Sequence, residues 1–534
     1  MRRNSAVLAA FVAASVAATL HAQVATLGAQ VKERPLPRLV KKDARYALLV
    51  DDAPYLMLGA QVHNSSAWPA MLPKVWPAME YLNVNTVEIP VYWEQFEPRQ
   101  GQYDHSVIDA LLAGARQHRV RLVLLWFGTW KNGSQHYMPE WMKLDPDRYP
   151  HLTDKNGHAA DSPSPFAAAS LEADKTAFTA FMRYLKAADP ERTVIMVQVE
   201  NEPGTWGSVR DYSPAAQKLF EAPVPANVLT AMQVKPGSPT ANWQEAFGPE
   251  AEVCFHAWAV AKYVGQVAAA GKAVYALPLY ANAALRDPLK PGAPGSYESG
   301  GPTDNVIPIW KVAAPALDLV APDIYQNDPA AYLKVLELYH RDDNALFVPE
   351  TGGGAGNARF FFSALGLQAI GFAPFGMDYT TPRNTPESLA PTALNYRLIA
   401  PMAREIARLN FEGKLQAVAE EKGKVTQTLA FGAWNAVVSY GATRNNRAVG
   451  NAEPTGRVLV AQLKDNQFLV AGFHSRVDFR PADAEKHRQF LRVEEGAYEN
   501  GVFKFLRIWN GDETDWGLNF GAEPLVLRVS VATY

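Results

Sequence analysis

The sequence predicts an α/β chain, a (β/α)8 TIM barrel at residues 45–410 followed by a C-terminal all-β sandwich at 411–534. Three observations carry this reading. Apolar strand-like runs alternate eight times with amphipathic helical stretches, which is the signature of a parallel barrel. Two of those runs end abruptly in carboxylates followed by chain breakers, Val197 to Gly204 (VQVENEPG) and Leu346 to Gly354 (LFVPETGGG). Past about residue 410 the helical periodicity stops and short strands separated by turns take over.

The length of 534 residues calls for more than one core, hence two domains. The chain is 48% hydrophobic and 11% aromatic, which supports large cores and excludes bulk disorder. A net charge of −3 with no basic run gives no sign of a nucleic-acid partner. Arg2 and Arg3, the apolar stretch Ala6 to Leu20 and a cleavage point near Ala22 make residues 1–22 a signal peptide, too short to span a membrane. The mature chain is therefore expected to be periplasmic or secreted, with no membrane span. The single cysteine, Cys254, excludes internal disulfides. No feature of the sequence specifies an oligomeric state.

Residues 23–44, with Pro35 and Pro37, read as a leader arm, and Ala47 to Met57 as a small hairpin. The barrel strands are predicted at Leu56–Val62, Asn85–Val91, Arg121–Phe127, the run ending at Glu202, Ala273–Leu279, Asp318–Asp323, Ala345–Pro349 and Ala369–Phe375. The intervening helices are predicted at Pro69–Leu82, Ser106–His118, Leu171–Ala188, Glu250–Ala270, Asn305–Ala316, Pro329–His340, Asn357–Leu367 and Thr392–Leu409. Residues 207–249 form an irregular excursion. In the sandwich, turns such as Lys464-Asp465-Asn466 and Asn500-Gly501 fall between strand-like runs. Packing against the barrel is its expected role.

Barrel enzymes carry their chemistry at the C-terminal ends of the strands. Glu202 after the fourth strand and Glu350 after the seventh would face one cleft, the arrangement of a general acid and a nucleophile in glycoside hydrolysis. A lone glutamate at a strand end is usually a solvated cap. Two in matching contexts on one barrel argue for paired carboxylates. Glu200 lies an even step from Glu202 and is expected to face the same side one layer deeper, as a buried structural partner. No metal-ligand cluster such as H-E-x-x-H appears, so neither metal nor organic cofactor is expected.

Several stretches together resemble glycoside hydrolase family 35, the β-galactosidases. VQVENEPGTWG is similar to that family's I-Q-x-E-N-E-Y-G, Asn85 to Asp104 to its N-T-V…W…E-P…G…F, and Trp130 to Trp141 to its E-W-x-N-G-G-x-P-x-W. The resemblance spans roughly residues 55 to 380. It implies that Glu202 is the acid/base and Glu350 the nucleophile of a retaining exo-acting β-galactosidase, that Asn201 binds the sugar 2-hydroxyl, and that Tyr325 orients Glu350. Trp93 and Trp130 become candidates to line the sugar subsite, and His63, Asn64 and Asp378 to touch sugar hydroxyls. Trp126 is expected in the core. Trp206 and Trp243 are candidate platforms for the leaving group.

The chain departs from the family at Pro90, where a Tyr is usual, and at Thr129, where a sugar-binding Glu is usual. The pattern resembles a divergent bacterial branch acting on galactosylated side chains of plant oligosaccharides or polysaccharides. Another glycone (a β-glucoside, a β-arabinopyranoside or a galactan) and a non-catalytic carbohydrate-binding protein are the competing readings.

Overall fold

The computed structural model describes residues 33–235, 237–238, 240–441 and 447–534. The expected signal peptide, 1–22, lies outside the described residues. So do residues 23–32 of the expected leader arm. Its described part is not an arm: Arg38–Lys42 pairs antiparallel with Arg45–Val50, which pairs with Ala53–Tyr55. The turn between the last two strands places Asp51 and Asp52 at φ 54° and 59°, the double left-handed geometry of a tight hairpin.

Eight parallel strands follow. They are β1 (Met57–Gln61), β2 (Thr86–Tyr92), β3 (Arg121–Lys131), β4 (Val194–Asn201), β5 (Leu279–Ala284), β6 (Leu319–Ile324), β7 (Glu350–Thr351) and β8 (Gly371–Phe372). They form one sheet in the order β7-β6-β5-β4-β3-β2-β1-β8. A parallel bridge between Val348 and Phe372 joins the two ends, so the sheet closes on itself. Helices α1 (Leu72–Leu82), α2 (Ser106–Gln117), α3 (Ala168–Ala188), α4 (Ala251–Val274), α5 (Ile307–Ala313), α6 (Pro329–Tyr339), α7 (Phe360–Gly366) and α8 (Pro386–Ile399) alternate with the strands. The chain is thus a TIM barrel followed by an all-β region. β2, β4 and β6 are buried along their whole length, as expected for strands covered by helices outside and by the barrel interior inside.

The fifth strand is the main displacement from the sequence expectation. Val274 and Tyr275 favour strands locally, but α4 continues to Val274. Pro278 lacks the N–H needed to continue a helix, and the strand starts after it, at Leu279.

The C-terminal region forms two antiparallel sheets. One is ordered Leu415–Ala419, Arg457–Lys464, Gln467–Phe473, Leu525–Thr533, Arg488–Glu499, Val502–Trp509; the other is ordered Thr426–Phe431, Trp434–Ser439, Ser475–Pro481, Leu518–Phe520. The strand period of two divides the larger sheet's side chains between two cores. Val458, Val460, Phe468 and Val470 face the second sheet. Leu459, Ala461, Leu469 and Ala471 join the barrel's core. Arg457 seals the junction by donating to Asn395 of α8 at 2.7 Å, and burial lowers its pKa to about 10. Among the described residues no helix is long and apolar enough to cross a membrane.

Candidate active site

Strand register brings the polar residues together. β3 pairs Lys131 with Asn201 of β4, and β6 pairs Asp323 with Glu350 of β7. Carboxylate oxygens of Glu202, Asp323 and Glu350 lie within 4.8 Å of one another. All three side chains are at most 9% exposed.

Each carboxylate is held differently. Glu350 accepts from the Tyr325 hydroxyl at 2.7 Å and from the Gln61 amide at 3.0 Å. Asp323 accepts from Asn282 Nδ2 at 2.6 Å, while Asn282 Oδ1 accepts from the backbone N–H of Glu202 at 2.8 Å. Asn282 therefore ties the Glu202 backbone to the Asp323 side chain. The side chain of Glu202 meets Asp323 itself. Burial, then the charge of Glu350, push its pKa up to about 7, against the opposing pull of Lys131 and Asp323. Burial and the same two glutamates push Asp323 well above the ordinary range, and Tyr325 is raised by burial and by Glu350.

Lys131 and Asn201 form a second unit. Lys131 Nζ donates to Asn201 Oδ1 at 2.8 Å and also binds Asn132 Oδ1. Because a lysine only donates, this contact fixes the Asn201 amide with its nitrogen turned away from Nζ. Asn201 Nδ2 is buried and has no partner among the described residues, which leaves it free for a ligand oxygen.

His63 and Asp378 pair with each other beside this cluster. The His63 backbone N–H donates to Asp378 at 2.7 Å and its Nδ1 lies 3.1 Å from the other carboxylate oxygen. Burial opposes ionisation of Asp378, but hydrogen bonds from His63 and Thr380 hold its pKa below the usual range. Asp378 is joined to the site through the chain, since Met377 N donates to the carbonyl of Gln61. Asn64 Oδ1 is buried without a partner next to His63.

The structure corrects four placements. Trp93 is buried, donates to Glu97 at 2.8 Å and packs on Trp126 at a centroid distance of 6.2 Å, so it is core and not cleft lining. Trp130 packs edge-on against Tyr263 of α4 at 4.8 Å, in the helix layer. Trp243 stacks on Phe247 and is 1% exposed, which removes it as a platform. Glu200 does not share a face with Glu202. Its Oε2 accepts from Trp130 N at 2.7 Å, on the side where Asp174 of α3 accepts from Trp126 and Thr129. Burial and Asp174 push its pKa well above the usual range. Glu200 and Glu202 sit at φ 64° and 43°, a left-handed backbone that breaks the strand alternation.

Gln61, Lys131, Asn282, Asp323 and Glu298 take part in the site without having been singled out by the sequence. The first four share one signal, a polar residue at the C-terminal end of a buried barrel strand. Glu298 lies in an irregular loop and carries no such signal.

Residues 65–273 match the family model described as Beta-galactosidase, that of glycoside hydrolase family 42. That stretch, from the loop after β1 into α4, is thus similar to a glycoside hydrolase domain. The matching model is family 42 rather than family 35, which the motifs resemble. Residues 392–521 match a domain of unknown function, DUF5597. A comparison with curated proteins returns no match. Among solved structures, the chain is similar to the catalytic domain of a β-amylase from Paenibacillus polymyxa at 13% identity and TM-score 0.47, covering 63% of this chain and 96% of that one. It is similar to a β-galactosidase from Bacillus circulans sp. alkalophilus at 12% identity and TM-score 0.48, covering 66% of this chain and 57% of that one. A β-galactosidase from Rahnella sp. R3 matches at 14% identity and TM-score 0.47, over 66% of this chain and 58% of that one. The chain thus spans less than two thirds of either β-galactosidase.

Proposed function

We propose that the chain is a retaining, exo-acting β-galactosidase in which Glu202 is the acid/base and Glu350 the nucleophile. The observation that carries this reading is the close approach of the pair, with a carboxylate oxygen of one within 4.8 Å of a carboxylate oxygen of the other. Retaining enzymes hold the pair about 5–5.5 Å apart, and inverting ones leave about 6.5–9.5 Å for a water. The match of residues 65–273 supports the galactoside.

In the first step the glycosidic C–O bond breaks as Glu350 bonds to the anomeric carbon and Glu202 gives its proton to the leaving oxygen. In the second, water attacks that carbon, Glu202 takes the water's proton, and Glu350 departs as carboxylate. A Glu202 pKa near 7 suits a group that must give and then take a proton around neutrality. Tyr325 and Gln61 hold Glu350 for attack. Asn201 Nδ2 is the candidate donor to the sugar 2-hydroxyl. The features of residues 1–22 favour an exported enzyme, and galactosylated plant oligosaccharides are its proposed substrates.

The test is hydrolysis of p-nitrophenyl β-D-galactopyranoside, with the β-glucoside and α-L-arabinopyranoside in parallel, by wild type and Glu350→Gln. Turnover confined to the galactoside, releasing the β-anomer first by NMR and lost in the variant, is the expected result. First release of the α-anomer would overturn the retaining mechanism. Preference for another glycoside would overturn the galactoside.

A further inference from the structure

The loop after β5 buries a carboxyl group that the reaction above does not use. Glu298 is 2% exposed, and among the described residues its otherwise unpaired carboxyl group has the Trp206 indole as its hydrogen-bond donor. Burial, then the charge of Glu202, push its pKa well above the ordinary range, against Lys131 and the Trp206 indole. Its side chain is wedged between two glycines on the loops that follow β3 and β4. A Cβ on Gly133 or on Gly204 would stand 2.7 or 2.8 Å from Glu298 Oε1, closer than packed atoms come. Both glycines adjoin the acid/base. Gly133 N donates to the carbonyl of Glu202 at 3.1 Å, and Gly204 is two residues beyond it.

Trp206 completes this assembly. Its Cδ1 lies 3.0 Å from the same Cβ position on Gly133, so the indole borders the glycine and the Glu298 carboxyl together. The ring is nonetheless 51% exposed, unlike Trp93, Trp130 and Trp243. The segment beneath it is braced. Thr205 and Ser299 exchange backbone hydrogen bonds at 2.8 and 3.0 Å, Ser162 donates to the Gly204 carbonyl at 3.0 Å, and Thr205 Oγ1 meets the buried His256 at 3.0 Å. An open indole on a rigid mount four residues past Glu202 is poorly explained by packing, because an exposed aromatic face gains nothing from burial.

The acid/base touches the glycosidic oxygen, so the leaving sugar lies on its side of the scissile bond. We propose that Trp206, set in place by Glu298, is the platform on which the pyranose ring of the leaving group stacks. This rests on the glycosidase reading above. The indole offers a flat apolar face to the C–H face of the ring. Glu298 is a positioning residue that acts through Trp206.

The test compares kcat/KM on lactose, which has a pyranose leaving group, with β-galactosyl fluoride, which has none. Trp206→Ala should lose about five- to tenfold on lactose and stay within about twofold on the fluoride, with Trp206→Phe restoring most of the loss. Glu298→Ala should copy that selectivity and Glu298→Gln rescue it, which a merely structural role would not produce. Equal losses on both substrates, or none on lactose, would overturn the subsite. Binding separates this outcome from failure of the reaction reading. In a Glu350→Gln background, calorimetry should show Trp206→Ala weakening lactose but not galactose, whether or not wild type turns over. Unchanged lactose affinity there would overturn the subsite, whereas a wild type silent on galactosyl, glucosyl and arabinopyranosyl fluorides would overturn the reaction reading.

Discussion

Neutralising Glu350 should lower the pKa of Glu202, and the structure bounds the amount. Glu350→Gln keeps the shape and a polar partner for Tyr325 and Gln61 but removes the negative charge. Carboxylate oxygens of the two residues lie within 4.8 Å. A unit charge at that distance with an effective dielectric of about 20 is worth about 3.5 kcal/mol, or about 2.5 pKa units. That is a ceiling. The whole rise of Glu202 is from 4.5 to about 7, and burial contributes more of it than Glu350 does. Lys131 and Asp323 hold the net rise down, and removing the Glu350 charge is expected to lower it by on the order of one unit. The assay is carbon-13 NMR of protein labelled at the glutamate carboxyl carbon, with the Glu202 signal assigned by its loss in Glu202→Gln. Titration should fall from about 7 in wild type to about 6 in Glu350→Gln. Such a fall is what lets one group serve as acid before the glycosyl-enzyme forms and as base after it, since glycosylation also neutralises Glu350. An unchanged or increased value would refute the reasoning, because it would place the cause of the shift outside the pair.

The same shift makes a statement about stability. The folded-state pKa of Glu202 is raised, so its contribution is fully present below the unfolded value and is lost as pH rises through about 7. Glu202→Gln should therefore melt higher than wild type at pH 8, by on the order of 3 kcal/mol, with the gap closing toward pH 4.5; a gap that does not change with pH would refute this. Lys131 opposes the rise of Glu202, so Lys131→Met should move the basic limb of kcat/KM to higher pH by about one unit. It should also lower the plateau by releasing the Asn201 amide, and a downward move of the limb would contradict the sign.

Much of the fold was legible because its signals are local. Buried strands bounded by Gly and Pro, and helices with an apolar stripe, sit within a few residues of their expected positions from β1 to β4. The fifth strand was misplaced because Val274 and Tyr275 have strand propensity while α4 packs too well to end before them; tertiary burial outweighed propensity there. That slip hid Asn282, which became visible only once the strand was seen to start after Pro278. Lys131 was hidden differently. Read as part of a Trp-Lys-Asn-Gly stretch, it looks like a loop cation, and only the pairing of β3 with β4 sets it opposite Asn201. The tryptophans illustrate the opposite error. Trp93 follows β2 and Trp130 lies at the end of β3, where cleft-lining residues sit, but direction depends on the backbone at each position.

Glu200 and Glu202 show where a strand's alternation ceases to be a guide. An ideal strand would send both side chains to one face, and Glu200 would then add a further negative charge beside Glu202, Asp323 and Glu350. Such a cluster would be more costly still, because like charges in a buried site oppose one another's ionisation. The chain avoids it through backbone geometry. Positive φ at Glu200 and Glu202, at roughly 1–2 kcal/mol per residue for a side chain with a Cβ, turns Glu200 out to Trp130 and Asp174 while Glu202 joins Glu350 inside the mouth. Gly128 makes room on that side, since a Cβ there would stand 2.4 Å from Trp126 Nε1 and 3.0 Å from Glu200 Oε1. The strain at the end of β4 thus separates two adjacent acids by environment. One has its ionisation opposed by burial and by Asp174, and the other is left with a pKa near neutrality beside its partner.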